Sequence, residues 1–334
     1  MDINGYLMRG FCFLLLFIVC CCCHAWGSKK ITIGNITFNN AIEKPGPDPP
    51  PYADFKTLVV PIKRAGNLIV IEATVDSLEG NFVLDTGSPY LVLNETYFRD
   101  YPHIEDNEAT GITGGSSGSF ATEVHNFTIL DLKYSRLSAQ VTDLSFIENG
   151  RNMKILGLLG TRLFSQFAIT VDLFRNVLYI QKLDNDGNIP ETERVYHDRF
   201  MVSPFRYLND IVYLKGTINN KTLWFAFDTA AETNLLDYQK VRKLLDSMTV
   251  IGRSKLTGVG GSSFEVVYAR YDHLVIGDRT FMQNRVLLTS LEKMGTSYGY
   301  NIDGVLGYDF FVRGIFTINF VKKEFEMYIY TNQQ

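Results

Sequence analysis

The chain has 334 residues, of which 46% are hydrophobic and 13% aromatic, and its formal net charge is −4. A chain this apolar can bury a large core, which excludes a disordered protein. The small net charge and the lack of a long basic run exclude nucleic acid as an expected partner. Because many aromatic residues stand in short β-branched runs, the composition favours an all-β protein.

The N terminus has the pattern of a secretory signal. Arg9 precedes an apolar run at residues 11–23, and Ala25 and Gly27 are small residues at candidate cleavage positions. We therefore expect residues 1–27 to be a signal peptide and the protein to be secreted or to lie in the cell envelope or periplasm. A retained anchor or a lipid on a leader cysteine stays open, and either would associate the N terminus with a membrane or the envelope.

The cysteines and histidines predict no metal chemistry. All five cysteines lie in the leader, so the mature chain has no thiol for a disulfide or a metal site. The histidines after the leader show no ligand spacing. We expect neither a metal nor a cofactor.

Residues 28–55 contain a cluster of prolines at positions 45–51, which predicts an extended and poorly packed spacer or pro-segment. Strand-like runs follow from residue 58, at 58–62 and 68–75, and a turn is predicted at 79–81. Further along the chain, Asn94 and Asp237 are placed to cap helices.

One carboxylate stands where burial is expected. Asp85 lies between the apolar runs 82–84 and 89–93, in the sequence Asp85-Thr86-Gly87-Ser88. A buried carboxylate without partners costs several kcal/mol, so such a residue is usually paired, hydrogen-bonded or protonated. Asp85 is therefore a candidate for chemistry, with a glycine for a tight turn and two hydroxyls beside it.

The Asp-Thr pattern belongs to an internal repeat. It recurs as Asp228-Thr229-Ala230, 228 − 85 = 143 residues further on. Gly114-Gly115-Ser116-Ser117 recurs as Gly260-Gly261-Ser262-Ser263, and Leu158-Leu159-Gly160 recurs as Val305-Leu306-Gly307. The same order of features in both halves indicates a duplicated structural unit.

These motifs resemble those of bacterial two-lobe aspartic proteases of the pepsin and retropepsin group. The resemblance covers roughly residues 58–330. It implies an all-β fold with two homologous pepsin/retropepsin-like lobes, at 56–186 and 187–334, which form a bilobal, β-barrel-type structure around a central cleft. We accordingly expect a monomer that hydrolyses a peptide or protein substrate by a water molecule activated between two carboxylates.

The resemblance also implies roles for individual residues. Asp85 and Asp228 would be the catalytic pair, Thr86 and Thr229 would brace their loops, and Ser88 would orient the carboxylate of Asp85. Ala231, which has no hydroxyl, could not orient Asp228 in the same way, so the two acids should not be equivalent. Gly87 and Ala230 would complete the two turns. Gly160 and Gly307 would pass close to the loops. The flaps over the cleft would be the glycine-rich hairpins, at Gly114 and Gly115 and at Gly260 and Gly261.

The sequence also contains features of two other functions. Ala230 replaces the glycine that is usual in the family, and a displaced loop would make the protein a catalytically inactive envelope module that binds peptides in the same fold. Gly114-Gly115-Ser116-Ser117-Gly118 also fits the Gly-x-Ser-x-Gly pattern of serine hydrolases. That pattern needs a following helix, whereas residues 119–124 alternate like a strand, so the sequence disfavours a serine hydrolase.

Overall fold

The computed structural model describes residues 48–111, 114–257, 263–292 and 302–329, with the backbone of three short strands before residue 48. Apart from these strands, the expected signal peptide lies outside the described residues, as do Gly260 and Gly261. The chain is mostly β, with 49% of its residues in strands and 13% in helices. The predicted all-β class is therefore confirmed.

The secondary structure consists of short strands and helices of about one turn. Strands β1 to β15 are Phe17–Val19, Ile31–Ile33, Ile36–Phe38, Tyr52–Ala53, Thr57–Pro61, Lys63–Ala65, Leu68–Val75, Leu78–Leu84, Leu91–Asn94, Glu105–Gly111, Gly114–Val124, Phe127–Ile129, Leu132–Tyr134, Leu137–Thr142 and Gly157–Leu159. Strands β16 to β29 are Ala168–Asp172, Val177–Gln181, Met201–Leu208, Ile211–Ile218, Lys221–Phe227, Leu235–Asp237, Thr249–Thr257, Ser263–Tyr271, Leu274–Ile276, Arg279–Phe281, Asn284–Thr289, Gly304–Leu306, Ile315–Asn319 and Glu324–Tyr328. Helices α1 to α4 are Glu95–Phe98, Ser145–Asn149, Tyr238–Val241 and Tyr308–Phe311, and 3-10 helices occur at Thr161–Phe164, Glu191–Glu193 and Arg242–Ser247.

Two large sheets contain most of the strands. The first has the order β1-β10-β11-β14-β9-β15-β8-β7-β12-β13-β4, with β6 beside β7. The second has the order β22-β23-β26-β21-β27-β20-β19-β18-β29-β28-β16-β17-β5, with β24 and β25 added at β19. Strands β2 and β3 pair only with each other.

The strand pairing around the two acidic motifs is the same. β8 leads into Asp85 and pairs parallel with β15, which pairs antiparallel with β9, and β9 pairs parallel with β14. β20 leads into Asp228 and pairs parallel with β27, which pairs antiparallel with β21, and β21 pairs parallel with β26. The internal repeat of the sequence is thus present in the fold.

The two repeats meet in the second sheet. β16 of the first repeat pairs antiparallel with β28 of the second. Thr170 and Thr317, which are 147 positions apart as the repeat requires, face each other with their hydroxyl oxygens 2.7 Å apart. Contact between equivalent residues is what a two-fold relation produces. One buried apolar cluster extends through both repeats, from Leu58 to Met327.

The described end of the proline-rich segment is packed against the fold, contrary to the prediction for residues 28–55. Asp48 accepts hydrogen bonds from the backbone N–H and the hydroxyl of Ser138, at 2.8 and 3.0 Å. Strand β4 pairs with β13, and the ring of Phe55 stacks on Phe167 with 6.1 Å between centroids. The predicted poor packing is therefore wrong from residue 48 onward, because side-chain contacts fix a segment that composition alone predicts to be loose.

The turn predicted at residues 79–81 is also wrong. These residues lie inside β8, and the chain reverses instead at Asp76, whose φ is 53°. A Cβ on Gly80 would lie 2.6 Å from Cδ1 of Leu156. This glycine therefore permits close packing within a strand and does not form a turn.

Both predicted helix caps are confirmed. The side chain of Asn94 accepts from the N–H of Thr96 at the start of α1, and that of Asp237 accepts from the N–H of Lys240 at the start of α3. Helix α3 is a single α-helical turn that continues as the 3-10 helix Arg242–Ser247. Within the described ranges, no helix is long and apolar enough to cross a membrane.

Candidate active site

Asp85 and Asp228 occupy the same position in two equivalent loops. Each is the first residue after a strand, β8 or β20, and its backbone N–H donates at 3.0 Å to the carbonyl at the end of the parallel partner, Leu159 or Leu306. Both residues are buried, with 0% and 1% of their surface exposed. Apolar strand residues thus hold the backbone of both acids inside the protein.

Backbone amides bind both carboxylates, but not equally. The N–H of Gly87 donates to Oδ1 of Asp85 at 2.9 Å. The N–H groups of Ala230 and Ala231 both donate to Oδ1 of Asp228, at 2.8 and 3.1 Å. Oδ2 of Asp85 is buried and has no hydrogen-bond partner among the residues that the structure describes. Asp228 is therefore the better stabilised as an anion.

The two threonines join the loops to each other. The hydroxyl of Thr86 donates to the carbonyl of Phe227 at 2.8 Å, and that of Thr229 donates to the carbonyl of Leu84 at 2.7 Å. Each hydroxyl also accepts from the other threonine's backbone N–H, at 3.1 and 3.0 Å. Four buried hydrogen bonds therefore fix the distance between the loops that carry the acids.

Gly87 lies directly against the second acid. A Cβ at this position would stand 2.6 Å from both Cγ and Oδ2 of Asp228. Real Cβ atoms do not approach so closely, so any other residue here would push the two loops apart. The two carboxyl groups are thus neighbours across the loops.

Ala230 fits where the family usually has glycine. It is 4% exposed and belongs to a buried apolar cluster whose other members, such as Val70 and Leu158, all come from residues 65–158. Its N–H still donates to Asp228, as that of Gly87 does to Asp85. The methyl group therefore packs against the first repeat and leaves the backbone donor in place.

Gly160 and Gly307 follow β15 and β27 and lie against the loops. A Cβ on Gly160 would be 2.3 Å from the carbonyl oxygen of Tyr90, and one on Gly307 would be 2.5 Å from that of Ala231. Asn234 adds a further contact, because its side-chain oxygen accepts from the N–H of Gly307 at 2.9 Å. The close approach expected from the sequence is present in both repeats.

Ser88 contributes differently from the prediction. Its hydroxyl donates to the carbonyl of Tyr90 at 3.4 Å, whereas its backbone N–H helps to lower the pKa of Asp85. In the second loop the hydroxyl that Ala231 lacks is not needed, because the backbone N–H of Ala231 donates to Asp228. At this position of both loops the backbone N–H therefore acts on the acid, and the serine hydroxyl does not.

Burial raises the pKa of both acids. For Asp85 desolvation is the largest cause, the charge of Asp228 adds to it, and the pKa lies well above its usual range. Desolvation also raises the pKa of Asp228, but the N–H groups of Ala230 and Ala231 oppose it, and the value is about 6. The pKa of both carboxyl groups is thus raised, and the repulsion between them favours a pair that shares one proton, with Asp85 the more readily protonated member.

Only part of the two predicted flaps lies within the described residues. Gly114 and Gly115 begin β11, which pairs antiparallel with β10 to form a hairpin, as expected for the first flap. In the second repeat β22 and β23 also form a hairpin, whose tip with Gly260 and Gly261 lies outside the described residues.

An ion pair beside the second loop has no counterpart among the predictions. The guanidinium of Arg151 binds the carboxylate of Glu232, and both side chains are largely buried. Glu232 follows the second motif directly, and a charge next to a buried motif could have indicated a partner. Nothing in the sequence connects it with Arg151, which is 81 positions away.

No group of three acidic, histidine or cysteine side chains that could hold a metal ion occurs in the described part of the chain.

A comparison with known families gives a match over part of the chain. Residues 214–310 match the model of a family described as aspartyl protease. This range contains Asp228, Ala230 and Gly307 but not Asp85. No curated protein matches the chain. The family match and the mostly β fold together support an aspartyl protease family for this chain.

Proposed function

We propose that the protein is an aspartic endopeptidase with the catalytic pair Asp85 and Asp228. The observation that carries the proposal is the burial of two carboxyl groups in loops that four threonine hydrogen bonds hold together. We further propose that residues 56–186 and 187–334 form two lobes and that the substrate lies in a cleft between them.

The unequal acids suggest their roles. Asp228, with two N–H donors, is the base that takes a proton from a bound water molecule. Asp85, whose buried Oδ2 has no partner among the described residues, is the acid that donates its proton to the carbonyl oxygen of the substrate. The water oxygen then bonds to the carbonyl carbon, and the product is a neutral gem-diol.

The second step reverses the proton movements. Asp228 gives the proton from water to the amide nitrogen as the carbon–nitrogen bond breaks. Asp85 takes a proton back from one hydroxyl of the diol, which leaves a free carboxyl group and a free amine. The pair then has the same protonation state as at the start, and the chain's own two carboxyl groups supply every proton transfer.

The substrate in this proposal is an extended peptide. In the second repeat, strand β22 of the hairpin lies at the end of its sheet in the described part of the chain, and its edge would pair with the backbone of the peptide. We keep the expectation of a monomer that is secreted or held in the cell envelope, with residues 1–27 removed or retained as an anchor.

An inactive peptide-binding module was the alternative, and its motive was the extra methyl group of Ala230. That methyl group packs into an apolar cluster while the N–H of Ala230 still binds Asp228. The observation removes the reason for expecting a displaced loop, and the enzyme is the better supported function.

Hydrolysis of a mixed peptide library from pH 3 to pH 9 tests the proposal. Asp85→Asn and Asp228→Asn should each abolish cleavage, whereas Asp131→Asn, an exposed aspartate in a turn, should leave it unchanged. Because Asp228 must be ionised, activity should fall on the acidic side with a midpoint near its pKa of about 6. Undiminished turnover in either mutant of the pair would refute the assignment.

A further inference from the structure

We propose that Arg151 is a positioning residue for Asp228, which acts by holding Glu232 and thereby the neighbouring Ala231 N–H beside the carboxylate. The inference rests on the proposed function for its catalytic consequence. The contact between Arg151 and Glu232 and its effect on the loop after Asp228 do not depend on that function.

Arg151 is fixed by the first repeat. Its Nε donates to the carbonyl of Ala65 at 3.2 Å, and its Nη1 donates to the carbonyl of Ile147 at 3.2 Å. The remaining nitrogen, Nη2, binds Oε1 of Glu232 in the second repeat. Only 8% of the Arg151 side chain and 15% of the Glu232 side chain are exposed. A planar guanidinium held by three acceptors has little freedom to move, so it gives Glu232 a fixed point of attachment.

Glu232 is one residue from a donor to Asp228. The N–H of Ala231 donates to Oδ1 of Asp228 at 3.1 Å, and its carbonyl accepts from the N–H of Tyr308 at 2.8 Å. The guanidinium of Arg64 lies over the ring of Tyr308, 5.4 Å from the ring centroid. Loss of the ion pair at Glu232 would remove one of the contacts that hold the loop next to Ala231. The hydrogen bond from the N–H of Ala231 to Asp228 would then lengthen.

The ion pair also keeps Glu232 in the loop. Burial raises the pKa of Glu232, and Arg151 opposes that rise. Without the guanidinium, the carboxylate would be buried and unpaired, a state that proteins avoid by protonation or by movement toward water. Either response releases the loop. The titratable group that acts on Asp228 itself is Asp85, and the charged group that acts on Glu232 is Arg151.

Two substitutions distinguish a positioning role of Arg151 from a purely electrostatic effect on Asp228. Arg151→Met removes a positive charge, and Glu232→Ala removes a negative charge while Arg151 stays. If only charge mattered, the first would raise the pKa of Asp228 and the second would lower it. If Arg151 positions the loop through Glu232, both should raise that pKa, by about one pH unit for a weakened hydrogen bond to an anion.

The experiment is a titration of the Asp228 carboxyl group by NMR on the full chain, with carbon-13 in the aspartate carboxyls and Asp228→Asn for assignment. The acidic midpoint of peptide hydrolysis should move upward in parallel. Arg175→Met is the matched control, because it also breaks an arginine pair with a buried carboxylate, Asp172, and should leave the titration unchanged.

A downward or absent shift in Glu232→Ala would overturn the inference, and this variant decides the matter alone if Arg151→Met does not fold. The failure of the proposed function would look different. A wild-type chain without peptidase activity would refute the endopeptidase, while the NMR titration would still report whether Arg151 and Glu232 hold the loop.

Discussion

Burial of Asp228 should make the protein less stable at neutral pH than in mild acid. Its pKa is about 6 in the folded state, against 3.8 for an ordinary aspartate. Because the folded-state value is raised, the stabilisation is complete below pH 3.8 and is lost as the pH rises through 6. At 1.36 kcal/mol per unit, the difference of 6 − 3.8 corresponds to about 3 kcal/mol.

Asp228→Asn should remove this dependence. Asparagine cannot ionise, and its side-chain oxygen can still accept from the N–H groups of Ala230 and Ala231. The mutant should therefore resemble the wild type near pH 4 and exceed its unfolding free energy at pH 7.5 by up to about 3 kcal/mol. That figure is an upper value, because Asp85 ionises more readily once its charged neighbour is gone.

Urea unfolding at several pH values between 4 and 7.5 measures the effect, with the slope against urea held constant between variants. Asp131→Asn, at an exposed turn position, should keep the pH dependence of the wild type. An equal loss of stability with rising pH in Asp228→Asn and the wild type would show that Asp228 is not a buried, proton-binding group.

Two further substitutions test the loops. Gly87→Ala should lower peptidase activity by about 100-fold or more, because the new Cβ would lie 2.6 Å from the carboxyl group of Asp228, and a small displacement of a catalytic group has an effect of this size. Ala230→Gly should change turnover little but lower the unfolding free energy by about 1–2 kcal/mol, since it removes a buried methyl group and adds backbone freedom. Steady-state hydrolysis and urea unfolding measure both effects. A tolerated Gly87→Ala would contradict the close approach of the loops, and a sharp gain of activity in Ala230→Gly would mean that the methyl group displaces Asp228.

The sequence predicted the burial and the repeated placement of the two acids, because that signal is local. An ionisable residue between apolar runs, repeated 143 positions later, needs only the cost of burial to be interpreted. The sequence predicted that the acids would differ, but for the wrong reason: it pointed to a serine hydroxyl, whereas backbone N–H groups, which every residue except proline carries, bind the two carboxylates. Ser88 attracted attention as a hydroxyl, whereas the donor of consequence at that position is its amide.

Contacts between distant segments could not be predicted from the sequence either. Arg151 is an ordinary surface-type residue by sequence, and its burial beside Glu232 depends on the return of the chain after α2. The same holds for Asp48, whose bonds to Ser138 convert a proline-rich segment into a packed one. Composition describes what a segment tends to do alone, and these segments are fixed by partners far along the chain.

The two loops complete each other, and this has a consequence for how the site forms. The N–H of Thr86 needs the hydroxyl of Thr229, and the N–H of Thr229 needs that of Thr86. Ala230 packs among residues of the first repeat, and Gly87 leaves room for the acid of the second. Each loop binds its own carboxylate with its own amides, but its threonine finds its hydrogen-bond partners only in the other repeat. The paired acids can form only when both repeats have folded together, so the activity proposed for them is a property of the joined loops and not of either motif.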